Sequence, residues 1–113
     1  MIQVNKKFNK IQLKLVAYEM GKDVCIILTG GKSHLGSITI GVEGINKETF
    51  IVGKHKEYII TEKLGEMLKN RYCGNFVICC GIHIDNITEK EIEDIINLSC
   101  KMMEKVCVKL KIG

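Results

Sequence analysis

Three histidines are the side chains of this sequence best suited to moving a proton or touching a ligand, and each falls in a glycine-flanked junction. They are His34 in GGKSHLG, His55 in GKHKE and His83 in CGIHIDN. Glycine lets a backbone come close to a ligand, and element ends carry function more often than element interiors. Gly30, Gly31, Lys32 and Ser33 supply flexible amides, an ammonium and a hydroxyl, the ingredients of an anion nest. Lys54, His55 and Lys56 stand at the start of an expected helix, where unpaired amides and the helix dipole favour an anion. Neither stretch has the spacing of a P-loop or a dinucleotide fingerprint, and solvated lysines are the plainer alternative. Around His83, the Asp85 carboxylate has two possible tasks. It, or Asn86, bonds amides of the following turn, or it holds one ring nitrogen of His83 and fixes the tautomer.

Several chemistries are disfavoured. Three histidines with Asp85 or Glu57 could ligate a divalent metal, but the chain has no HxH or HxxxH pair and no CxxC, so no metal site is expected. Cys79 and Cys80 are adjacent and sit in an apolar run, a poor setting for a disulfide or a nucleophilic thiolate. No serine-hydrolase motif is present, and no catalytic residue is assigned. The net charge of +4 comes from sixteen lysines and the single Arg71, with no Trp and few other aromatics. That composition lacks the forked and stacking side chains of nucleic-acid readout. No stretch approaches the length of a membrane span, and MIQVNKKFNK has no apolar block of a secretory signal. A cytoplasmic location with reduced cysteines is the expectation.

The elements that must position these residues follow from periodicity. Ile11, Leu13, Leu15 and Ala17 alternate with Gln12, Lys14 and Tyr18, as in a half-buried strand. A glycine turn at 19–23 leads into a second strand, 24–29, apolar on both faces, which completes a hairpin. Further strands are expected over 35–42 and 49–52, then a helix from about His55 to Tyr72 stopped by Gly74. Residues 76–84 read as the most apolar strand, with His83 at its carboxyl end. Thr88 with Glu91 forms a capping box, and Ile92, Ile95, Ile96, Ser99, Met102, Met103, Val106 and Leu110 mark the buried stripe of a last helix.

The order is β-β-β-β-α-β-α in one domain spanning residues 1–113. The expected class is α+β, a mainly antiparallel sheet with both helices packed on one face. Two helices cover one face only, yet residues 24–29 and 76–84 are apolar on both. A bare apolar face of that kind predicts a homodimer.

Taken together, GGKSHLGSITIG, GKHKE and GIHIDNITEKEI resemble the small D subunits of gallate and hydroxyaryl-acid decarboxylase systems, the prenylated-flavin chaperone-like domains. The resemblance covers roughly residues 24–96. It marks Gly30, Gly31, His34 and Gly36, then His55, Lys56 and Glu57, then Gly81, His83, Asp85 and Asn86 as cofactor-contacting positions, with Ser33 standing where the pattern has proline. Lys54 separates Gly53 from His55. The family fold is similar to that of dimeric proteasome assembly chaperones. The resemblance implies a non-catalytic accessory protein that binds prenylated FMN or FMN and delivers it to a partner decarboxylase. A dimeric assembly module without a small ligand is the alternative, and a histidine-based metal enzyme comes third.

Overall fold

Strand alternation begins earlier than expected. The computed structural model describes residues 1–43, 46–53, 56–72 and 74–110. Within it Ile2–Phe8 is a first strand, β1, and Ile11–Met20 the second, β2. They pair antiparallel through a two-residue turn in which Asn9 takes φ 55°. Ile2 and Val4 point toward the core, whereas Lys6, the next position on that face, breaks the apolar period. This edge strand was therefore absent from the expected order.

The remaining elements are β3 (Asp23–Gly31), β4 (Ser37–Val42), β5 (Asn46–Ile51), α1 (Tyr58–Arg71), β6 (Phe76–His83) and α2 (Glu89–Lys109). The α+β class and both helices stand, with one strand more. The capping box at Thr88 is present in both directions. Arg71 closes α1 with an ion pair to Glu104 of α2.

The sheet order is β1-β2-β3-β6-β4-β5. Every neighbouring pair is antiparallel except β3 and β6, which run parallel at the centre. α1 packs over β4, β5 and β6, α2 over β1 and β2, and the helices touch each other. Leu13, Leu15, Val24, Ile26, Leu28 and Ile78 are essentially sealed beneath them, with Leu64, Leu68, Met102 and Met103 from the helices. Ser37 and Thr61 share a buried hydroxyl hydrogen bond of 2.8 Å between sheet and helix.

The opposite face carries the alternate residues. Register places Ile27, Cys79 and Ile38 side by side, with Cys25, Val77 and Ile40 in the next row. Tyr18, Ile40, Val42 and Phe50 on this side are exposed. Residues before Ile11 extend the sheet instead of covering this face.

Candidate functional site

The parallel pairing of β3 and β6 decides where the histidines go. Gly31 pairs with His83, so both strands end at the same edge, and the loop leaving β3 must cross the end of β6 to reach β4 on its far side. The Lys32 amide donates to the His83 carbonyl at 3.0 Å, and the Gly36 amide to the Cys80 carbonyl at 2.9 Å. Amides expected to form an anion nest are in part spent on the sheet. Gly31 takes φ +62°, in the region that favours glycine. Gly81 lies directly under the crossing loop, where a Cβ would overlap the His34 carbonyl. Gly36 faces the Glu57 carboxylate, which a Cβ there would also overlap.

Glu57 is the polar centre of this edge. It is 5% exposed at the start of α1. Its Oε2 accepts from the Ile82 amide at 3.0 Å and pairs with His34 Nε2 at 2.8 Å. Its Oε1 is buried without a hydrogen-bond partner among the described residues. The His34 and His83 rings stand edge to face with centroids 6.3 Å apart. His34 Nδ1 is also 3.3 Å from the Lys32 carbonyl. His83 Nε2 lies 3.1 Å from Asp85 Oδ1, so of the two tasks open to Asp85 it holds the ring. Asn86 sits in the turn at φ 56°, and Lys10 reaches the carbonyls of Asp85 and Asn86 at 3.3 and 3.2 Å.

The structure thus brings Gly31, His34, Gly36, Glu57, Gly81, His83 and Asp85 to one edge. Gly30 belongs to β3 beneath them, and Ser33 is an exposed loop residue. Lys54 and His55 lie outside the described residues. Lys56 is exposed, and its carbonyl accepts the Ile59 amide at 3.2 Å; the Ile60 and Thr61 amides bond to the Glu57 carbonyl. The first turn of α1 is therefore largely closed on itself.

Sequence reasoning missed the cavity beside these groups. It has a volume of about 330 Å³ and lies between the start of α1, the end of β6 and the start of α2. Lys56, Glu57 and His83 are its polar lining, and the other eight of its eleven lining residues are isoleucines. Ile60, Ile82 and Ile95 are buried, whereas Ile92, expected in the core stripe of α2, is 45% exposed. The signal was there in the density of isoleucine between Ile82 and Ile96.

Thiol chemistry is unfavourable here. Burial pushes the Cys80 thiol far up, with Glu57 and Cys79 adding to the shift, and burial raises Cys79 as well. Among the described residues no group of three or more His, Cys, Asp and Glu side chains could hold a metal ion. None of their helices is long and apolar enough to cross a membrane.

The sequence of this α+β domain matches a known family. The description of the prenylated flavin chaperone LpdD-like domain fits residues 7–111, and the chain belongs to that family. It is 28% identical over 87 residues to protein LpdD of Lactiplantibacillus plantarum. That alignment covers 72% of this chain and 64% of LpdD, less than two thirds of the relative's length. The fold is similar to a chain in the crystal structure of a chaperone complex for yeast 20S proteasome assembly. The TM-score is 0.65 at 7% identity, over 97% of this chain and 98% of that one.

Proposed function

We propose that this protein is a non-catalytic accessory domain that binds FMN in its prenylated form, or FMN itself, and delivers it to a partner decarboxylase. The observation that carries this reading is the buried Glu57 carboxylate, half satisfied, at the polar end of an otherwise aliphatic cavity. A buried acceptor left without a donor is costly, so a ligand supplying an N–H or O–H suits it. The residues present fit a flavin nucleotide. Lys56 at the cavity rim suits the phosphate, His34 and Glu57 suit the polar groups of the ligand, and the isoleucines suit its apolar part. Membership of the prenylated flavin chaperone family supports the same ligand class.

The cofactor, when bound, brings the decarboxylation chemistry to the partner. This chain's residues hold and orient it. His83, braced by Asp85, lines the cavity, and His34, braced by Glu57, stands beside it with the ring centroids 6.3 Å apart. The bare sheet face, with Ile38, Ile40 and Phe50 on it, supports a homodimer as the binding form. Anaerobic titration with prenylated FMN, FMN and riboflavin tests the reading. Saturable binding of a mononucleotide, weakened by Glu57→Leu in a variant that still melts cooperatively, is the expected result. No binding of any flavin would leave the assembly-module alternative in its place.

A further inference from the structure

The seam between β1 and α2 is charged in two different ways. At one end Lys10 pairs with Glu91 at 3.5 Å, which fixes the flank of α2 that overhangs the first hairpin. Lys105 and Lys109 lie about four and five turns further along that same flank. Lys6 comes from the opposite wall. It pairs with Leu13 as Val4 pairs with Leu15, so it stands on the core-facing side of β1 after the apolar Ile2 and Val4. The strand thus turns an ammonium toward the helix, and Lys6 is half-buried where its neighbour Lys7 is exposed. The Lys6 ammonium lies against that of Lys105, and this contact first, with Lys109 adding to it, holds the Lys105 pKa below its ordinary value. Like charges at contact are destabilising. Lys109 has a local reason to be there, since a cation in the last turn of a helix favours its dipole. Lys6 has none, because an apolar residue would continue the run of Ile2 and Val4 without the repulsion. The cations in the ion pairs of the described residues include Lys10, Arg71 and Lys90, and none of the three clustered lysines has a carboxylate partner among those residues.

We propose that Lys6, Lys105 and Lys109 form an anion site that takes a compact oxyanion of the phosphate class, either the free ion or the phosphoryl group of a small molecule. None of the three lines the isoleucine cavity, and the inference does not rest on the flavin reading. Ammonium groups from two elements converge on one place, which suits a tetrahedral, multiply charged group better than an extended acidic chain. Lysine binds phosphate as a compact point charge with three rotatable donors. A dianion seated among these groups turns mutual repulsion into shared attraction. It therefore fastens β1, an edge strand, to α2, and it stabilises the folded chain in proportion to its concentration.

The test is thermal melting of the full chain in inorganic phosphate, glycerol phosphate and chloride at matched ionic strength, for wild type, Lys6→Met, Lys105→Ala and Lys69→Ala. Salt alone screens the repulsion, so only an increment of phosphate over chloride counts as binding. Wild type should melt higher in phosphate than in chloride, with a saturable increment. An increment from inorganic phosphate alone identifies the free ion as the ligand, and one from glycerol phosphate of equal or greater size identifies a phosphoryl group on a small molecule. Lys105→Ala should weaken the apparent affinity by about tenfold to a hundredfold, the loss of one charge-assisted contact. Lys6→Met should melt higher than wild type at low salt, because the repulsion is gone, and should lose the phosphate increment. Lys69→Ala, exposed on α1, should keep that increment. Lys105 is exposed on its helix, so its alanine variant decides the matter should Lys6→Met fail to melt cooperatively. Equal wild-type melting in the phosphates and in chloride would overturn the site. A full phosphate increment in Lys105→Ala would overturn it too.

Discussion

Replacing Gly81 by alanine should unseat the whole edge. The new methyl would overlap the His34 carbonyl, so the loop over 32–36 must retreat by roughly 2 Å before ordinary contact is restored. That movement breaks the Lys32 and Gly36 hydrogen bonds to β6, which are 3.0 and 2.9 Å long. Each contributes about 1 kcal/mol. It also draws His34 off Glu57, whose carboxylate is 5% exposed. Losing a buried pair outright costs about 3–5 kcal/mol, but Oε2 keeps its Ile82 amide and His34 is a third exposed, so about 1–2 kcal/mol is the fair share. The total is about 3–4 kcal/mol, a large part of the 5–15 kcal/mol that typically holds a domain. With a urea slope of about 1.5 kcal/mol/M, the midpoint should fall by about 2 M. Gly21→Ala is the control, because nothing lies within 4 Å of its added methyl and the left-handed backbone alone costs about 1 kcal/mol. In a His34→Ala background, Gly81→Ala should cost about 2 kcal/mol, the hydrogen-bond share alone. A midpoint change no larger than that of Gly21→Ala would refute this account of the edge.

Other consequences are simpler to test. Light scattering at micromolar concentration should give a homodimer, and Ile40→Glu with Phe50→Glu on the bare face should give a monomer; a wild-type monomer would remove the dimer. If Lys56 grips a phosphate, FMN should bind more tightly than riboflavin, and Lys56→Ala should cost the mononucleotide about tenfold to a hundredfold in affinity, as fluorescence titration would read. Thr88→Ala removes the cap of α2 and should cost about 1 kcal/mol in chemical denaturation. The Glu91 carboxyl is held below its ordinary range first by the Thr88 amide, so its contribution is complete above that range and lost as pH falls through the lower folded value; melts between pH 6 and pH 2 should show the wild-type advantage over Glu91→Ala shrinking. Native alkylation at pH 8 should spare Cys80, whose thiol is buried and held protonated.

Much of this structure was legible where one local rule acted alone. The α2 cap followed from Thr88 and Glu91, and β2 from the alternation of Ile11, Leu13, Leu15 and Ala17, because burial on one face imposes a strict period. β1 escaped because Lys6 interrupts that period on an edge strand, where one missing contact is tolerated. The ends of α1 and β5 differed by a few residues, as frayed boundaries do. The shared glycine-flanked placement of the histidine motifs pointed to one site, and His34 and His83 do meet there, but the path of the chain that joins them was not legible. It depends on β6 entering between β3 and β4 in parallel, a choice that periodicity does not encode. Glu57 was legible as a motif residue, and its burial was set by Gly36 and Ile82, far from it in sequence. The isoleucine cavity was hidden because half-exposed Ile92 and buried Ile95 follow the same helical spacing.

The central parallel pair also sets an order of events. Val24 meets Phe76 only after the 51 residues between these positions have folded back, so the strand that completes the sheet is expected to join its two halves late. The hairpin of β2 and β3 forms from neighbouring residues, and so does that of β4 and β5. Each can precede the arrival of β6, which supplies Gly81 and His83 together. A chain that has both hairpins but lacks the last strand has no floor under His34 and no amide for Glu57. The edge that carries His34 and Glu57 is therefore expected to be completed in the last step of sheet assembly. Pulsed hydrogen exchange during refolding should find the amides of Ile78 and Cys80 protected after those of Leu15 and Ile26.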